Sequence, residues 1–126
     1  MPIDDLARSD VVTASPETPV TDLAVTMAEE NVGSVVITNG DTPVGIVTDR
    51  DLTVRTLADG ADPTAQTASD VMSSDLCTAE RDAGFYAATS SMAEHGVRRL
   101  PVCENETLVG IITSDDLMEL LADEQQ

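Results

Sequence analysis

Thr48-Asp49-Arg50-Asp51 follows the apolar run Gly45-Ile46-Val47, and Thr113-Ser114-Asp115-Asp116 follows Gly110-Ile111-Ile112. A threonine leaving a strand, with a carboxylate three positions on at the opening of a helix, can hold a small ligand. The hydroxyl and the first helical N–H groups donate to a phosphate. The carboxylate of Asp51 or Asp116 accepts both hydroxyls of a ribose diol. Gly45 and Gly110 permit close backbone approach. The same spacing is also an approximate capping box, which stabilises a helix start with no ligand. The two uses draw on the same orphan donors and are compatible.

The remaining side chains narrow the chemistry. The chain has six Arg, no Lys and 24 Asp plus Glu, so the adjacent pair Arg98-Arg99 is conspicuous. A guanidinium fork suits phosphate; ion pairing with neighbouring carboxylates is the alternative. Cys77 and Cys103 fall on expected strands and read as reduced, buried residues. His95, the one histidine, stands beside Gly96 at an expected helix end, where positive charge is favourable. Asp115 and Asp116 point to different helix faces and do not form an acid/base couple. With no Cys/His cluster, Ser-His-Asp set or Gly-rich loop carrying Lys, neither a metal centre nor a catalytic site is expected, so the chain does not read as an enzyme.

The elements that must position these residues come from a repeat. A shift of 65 places Asp5–Leu52 on Asp70–Leu117 without a gap, with sixteen of 48 positions identical. The matches cluster as SDVVTA on SDLCTA, MAEENV on MAEHGV and TPVGIVTDRDL on TLVGIITSDDL. Each copy opens on a short strand, Val11–Ala14 or Leu76–Ala79. A helix follows with Val20, Leu23, Ala24, Met27 and Ala28, or Phe85, Ala88, Met92 and Ala93, on its apolar stripe. Two strands come next, Ser34–Thr38 and Val44–Val47, or Arg99–Cys103 and Val109–Ile112, joined by the hairpin-like NGDTP and ENETL. A second helix starts near Asp49 or Ser114, with Leu117, Leu120 and Leu121 on one face. The spacing predicts an α+β fold of two β-α-β-β-α repeats, 1–59 and 70–126, joined by a linker at 60–69. Each copy is too small to bury both faces alone, so the two are expected to pack sheet to sheet about a pseudo-two-fold axis.

Charge limits the partners. The 126-residue chain carries a formal net charge of −18, which repels nucleic-acid phosphates and anionic membrane surfaces. No apolar run is long enough to span a bilayer, and the acidic start MPIDDLARSD lacks an apolar leader. The expectation is a cytoplasmic protein. A Lys-free acidic surface stays hydrated in concentrated salt, where screening removes self-repulsion, so a halophile-type, high-salt cytosol is expected.

Both copies resemble cystathionine-β-synthase (CBS) domains, and the chain resembles a tandem CBS pair, or Bateman module, over about residues 5–122. The carrying residues are Thr13-Ala14 and Thr78-Ala79, the helix ends MAEENVGS and MAEHGVRRLPV, and VGIVTDRDL and VGIITSDDL. The resemblance implies clefts between the repeats that take AMP, ADP, ATP, S-adenosylmethionine or NAD as regulatory ligands rather than as cofactors. It implies regulation of a protein target, here in trans, and homodimerisation. By the same resemblance Asp51 and Asp116 meet the ribose, with Thr48 and Thr113 beside them. Thr13, Ala14, Thr78 and Ala79 line the adenine pocket, with Val36 and Pro101 as the matching second-strand positions. Arg98 and Arg99 contact phosphate. The first repeat has Gly33 and Ser34 there, so Arg50 is its candidate cation. The competing reading is a structural or interaction pair without functional nucleotide sites, acting through dimerisation.

Overall fold

A computed structural model describes Ile3 and residues 6–124 of the chain. It divides into two compact units, Val12–Leu76 and a second made of Met1–Val11 with Cys77–Gln126. The first unit holds β1 (Thr13–Ala14), α1 (Val20–Glu30), β2 (Ser34–Asn39), β3 (Thr42–Thr48), α2 (Asp49–Asp51) running into a π-helical turn at Leu52–Ala58, and α3 (Ala68–Val71). The second holds β4 (Ala79–Glu80), α4 (Phe85–His95), β5 (Arg99–Glu104), β6 (Thr107–Thr113) and α5 (Ser114–Glu124). Each unit has one three-stranded sheet, β1-β2-β3 or β4-β5-β6, with the first pair parallel and the second antiparallel. The α+β class and the element order agree with the repeat. The expected linker at 60–69 is different: its end already belongs to α3, which starts on a Thr67/Asp70 capping box.

The opening strands are shorter than the expected Val11–Ala14 and Leu76–Ala79, and prolines explain why they sit one position apart in the two repeats. In a parallel pair each rung needs a donor on alternate residues. Val36 N–H donates to the Val12 carbonyl at 3.0 Å. At the equivalent place in the second repeat stands Pro101, which has no N–H, so β4 starts one position later. The far end reverses this. Arg81 N–H donates to the Cys103 carbonyl at 3.0 Å, whereas its counterpart is Pro16, so β1 stops one position earlier. The expectation that Cys77 is a buried strand residue fails: it lies before β4 and is half-buried, as its counterpart Val12 is before β1, while Cys103 is buried in β5.

The hairpins close on the two-residue loops Gly40-Asp41 and Asn105-Glu106, flanked by the pairs Asn39↔Thr42 and Glu104↔Thr107. Asn105 (φ 51°) and Glu106 (φ 72°) both take left-handed backbone, the geometry whose twist matches that of the flanking strands.

Two separate cores form. Val20, Leu23, Met27, Val35, Ile37, Val47, Ala68 and Val71 make the first, and Ile3, Ala88, Met92, Leu100, Val102, Ile112 and Leu117 the second. The helical stripes are narrower than expected, because Ala24, Ala28, Ala93 and Leu121 are exposed. The cores show why the compact units differ from the repeats. The segment leading into each repeat packs on the sheet of the other one. Arg8 and Ile111 exchange backbone hydrogen bonds of 2.8 and 2.9 Å, and Ser73 and Ile46 exchange bonds of 2.9 and 3.1 Å. Gly45 and Gly110 face these segments, so it is chain that approaches them closely. A Cβ at Gly110 would stand 2.9 Å from the Arg8 carbonyl oxygen, and one at Gly45 would stand 2.5 Å from Met72 Sδ.

Candidate functional site

Each Thr-x-x-Asp run lies where the last strand of its sheet turns into a helix. Thr48 N–H donates to Asp51 Oδ2 (2.8 Å) and Asp51 N–H donates to Thr48 Oγ1 (3.1 Å). Thr113 N–H donates to Asp116 Oδ2 (3.0 Å) and Asp116 N–H donates to Thr113 Oγ1 (3.2 Å). Both runs are therefore complete capping boxes. A third, Thr67/Asp70, has the same Thr N–H to Asp Oδ2 bond at 2.9 Å but leads a four-residue helix. The box alone therefore does not mark a ligand site; the surroundings must.

The surroundings differ between the repeats. In the second, Arg98, Arg99, Thr113, Ser114, Asp115 and Met118 line a cleft of about 400 Å³. Arg98 immediately precedes β5 and Arg99 opens it, and Ser114 and Asp115 open the eleven-residue α5, so guanidinium groups and the positive end of a helix share one space. The backbone holds them in place: Ser114 N–H donates to the Arg98 carbonyl at 2.9 Å. Three sequence-expected residues thus meet, namely Arg98, Arg99 and Thr113. Asp116, Thr78, Ala79 and Pro101 do not line this cleft. Thr78 is exposed ahead of β4, Ala79 packs at the edge of the second core, and Pro101 is buried in mid-strand.

Asp116 is instead engaged by Arg8. Arg8 Nη2 (2.8 Å) and Nε (3.1 Å) both donate to Asp116 Oδ1. The Asp116 side chain is 8 % exposed and that of Arg8 61 %. Burial alone would push the Asp116 carboxyl up, but the Thr113 N–H, the Arg8 guanidinium and the Thr113 side chain outweigh it and hold the group below the ordinary carboxylate range.

In the first repeat Asp51 Oδ1 takes no hydrogen bond among the described residues. Arg55 Nε stands 4.0 Å away, while its Nη1 donates to the Val71 and Met72 carbonyls at 3.1 and 3.2 Å, closing the end of α3. Arg50 is exposed in the first turn of α2 and forms no ion pair among the described residues. Thr13 (exposed) pairs with the buried Val36, and Ala14 (half-buried) pairs with Ile37.

The sequence reading missed Arg8, Arg55, Ser114, Asp115 and Met118. One signal was available: under the 65-residue shift Arg8 falls on Ser73 and Arg55 on Leu120, so these two cations are unmatched between the copies. His95 closes α4, its Nδ1 2.8 Å from the Ser91 carbonyl. Among the described residues no group of three or more metal-ligating side chains forms, and no helix is long and apolar enough to cross a membrane.

The family model for the CBS domain matches residues 3–55 and 68–123. The chain therefore belongs to the CBS-domain family and carries a pair of CBS domains, an arrangement that serves as a regulatory module. An uncharacterised protein of Methanopyrus kandleri is 38 % identical over 120 residues, covering 94 % of this chain and 61 % of that protein. Hypoxic response protein 1 of Mycobacterium tuberculosis is 32 % identical over 114 residues, 90 % of this chain and 80 % of that protein. A crystal structure of Hypoxic Response Protein I with two coordinated zinc ions superposes with a TM-score of 0.86 at 30 % identity, covering 94 % of this chain and 98 % of that one. The CBS domain pair of protein MJ0100, solved with 5′-methylthioadenosine and S-adenosyl-L-methionine, shares the fold at a TM-score of 0.89 and 22 % identity, covering 98 % of each chain.

Proposed function

We propose that this CBS pair is a sensor that binds an adenosine-containing ligand and uses it to modulate a protein target in trans. The observation that carries the reading is the second-repeat cleft, where Arg98 and Arg99 meet the N-terminus of α5 beside the Thr113 box. In a chain with six cations against 24 acids, gathering two of them at a helix start favours a phosphate-bearing ligand. Asp51 and Asp116 are the proposed ribose acceptors, with Thr48 and Thr113 beside them. Thr13, Ala14, Val36, Thr78, Ala79 and Pro101 are the proposed adenine-side positions, and Arg50 is the first repeat's cation. AMP, ADP, ATP, NAD and S-adenosylmethionine are the candidates. The residues act by binding, with no bond made or broken. Ligand favours one arrangement of the module over another, and the target reads the difference, most simply through a homodimer.

The test is a thermal melt in molar KCl, which screens the acidic surface, with each candidate ligand in turn. A ligand present at a hundredfold excess over its Kd stabilises by about 2.7 kcal/mol, a shift of several degrees. A melt indifferent to all five ligands overturns the reading.

A further inference from the structure

The hydrogen-bonding capacity of the two carboxylates differs in a way their shared motif conceals. An ionised carboxylate offers about four acceptor positions, two on each oxygen. At Asp51, Thr48 N–H takes one on Oδ2, and Oδ1 takes no hydrogen bond among the described residues, with Arg55 Nε 4.0 Å away. At Asp116, Thr113 N–H takes one on Oδ2, and the Nε and Nη2 donors of Arg8 take both on Oδ1. A vicinal diol that chelates a carboxylate needs one acceptor on each oxygen. Asp51 can supply both at once. Asp116 cannot while Arg8 stays in place.

From this we infer that Arg8 sets the order in which the two repeats accept a diol-bearing ligand. It occupies Asp116 as a built-in competitor, so Asp51 loads first and Asp116 loads only as Arg8 swings away. The inference rests on the proposal that these two carboxylates recognise a ribose. Arg8 is placed for the task. Its backbone is clamped to Ile111 by the two hydrogen bonds of 2.8 and 2.9 Å, so the segment need not leave for the side chain to move. Its guanidinium is mostly exposed, so rotation returns it to water, and the cost is the two hydrogen bonds to Asp116 that a diol would replace. The first repeat has no such device: Ser73 stands at the equivalent position, and Arg55 is tied to the α3 carbonyls.

Titration calorimetry with adenosine as the probe tests this on the full chain. Adenosine has the diol and no phosphate, so the charge lost in an Arg8 variant does not confuse the comparison. The wild type should show a tighter class of site abolished by Asp51→Asn and a weaker class abolished by Asp116→Asn. Arg8→Ser, which copies the first repeat, should tighten the weaker class about tenfold, the scale of one charge-assisted hydrogen bond no longer competing, and leave the tighter class unmoved. Arg8→Lys keeps the charge but breaks the fork and should tighten it by less; it also carries the test if the serine variant folds poorly. With 2′,3′-dideoxyadenosine the difference between wild type and Arg8→Ser should vanish. Two classes of site that Arg8→Ser leaves unchanged, or a weaker class that loosens, overturn the role of Arg8 while the ribose reading stands. Adenosine binding that neither Asp51→Asn nor Asp116→Asn affects overturns the ribose reading and this inference with it. So does a failure of adenosine to bind either the wild type or Arg8→Ser.

Discussion

Ile3 in the second core is equivalent by the repeat to Ala68 in the first, and Leu23 in the first core is equivalent to Ala88 in the second. All four are at most 1 % exposed. One unit thus puts its large side chain on the helix and its small one on the arriving segment; the other does the reverse. The cations are exchanged in the same sense. The first unit carries Arg55 on the helical side and Ser73 on the arriving segment, whereas the second carries Leu120 on the helix and Arg8 on the segment. Close packing demands that total volume be conserved within a core, not at a position. The repeats have therefore diverged in compensating pairs, and the pairs cross between the helix and a segment that the chain borrows from the other repeat.

The largest effects test the volume exchange. Leu23→Ala should cost about 3 kcal/mol by lost burial and a residual cavity. Ile3→Ala should cost a similar amount although it lies near the chain start, where truncation is usually harmless. Ala68→Ile in the Leu23→Ala background should recover about 1 kcal/mol, while Ala68→Ile alone should destabilise. Urea unfolding measures all four. An additive double mutant would show that the two positions do not share one cavity and would break the comparison.

The next effect concerns the arriving segments. Gly110→Ala drives a Cβ to 2.9 Å from a backbone oxygen of Arg8, while Gly45→Ala meets first the flexible end of Met72 at 2.5 Å and then the Ser73 oxygen at 3.0 Å. Both should destabilise, Gly110→Ala by about 2 kcal/mol and Gly45→Ala by less, since a thioether yields where backbone does not. Amide exchange should show loss of protection at Arg8 in the first variant and at Ser73 in the second. Equal losses would mean that the two segments are held alike.

The smallest effect is electrostatic. The carboxyl of Asp116 is held below its ordinary range. It therefore adds stability that is fully present above the unfolded Asp value of about 3.9 and fades as pH falls through the lower folded value. Asp116→Asn should cost about 1 kcal/mol at pH 7, the scale of a partly exposed ion pair. The gap from wild type should close in denaturant melts as the pH falls below the ordinary Asp value and through the lower folded one. A gap that stays constant with pH would assign the loss to packing instead of charge.

Much of the architecture was legible. Period and pattern were sufficient for the α+β class, the element order, both hairpins and the helix starts at Asp49 and Ser114, because local hydrogen bonding and alternation decide these. The cleft was partly legible, since Arg98, Arg99 and Thr113 stand out against an acidic, Lys-free background. The start of β4 at Ala79 instead of Thr78 was not. It depends on a missing N–H at Pro101, a residue 23 positions from Thr78 that becomes a neighbour only when the strands pair.

By itself the sequence determined the repeat, its elements and the two Thr-x-x-Asp boxes, all products of contacts made within a few residues or within one 65-residue period. Tertiary structure alone decided which repeat each leading segment joins, why Gly45 and Gly110 must be glycine, and that Asp116 is held by Arg8 while Asp51 is not. Arg8 and Asp116 are 108 positions apart. No local propensity links residues so distant; only the packing of Ile3 and Leu6 in the second core and the pairing of Arg8 with Ile111 bring the guanidinium within hydrogen-bond reach, and that is what makes two similar motifs unequal.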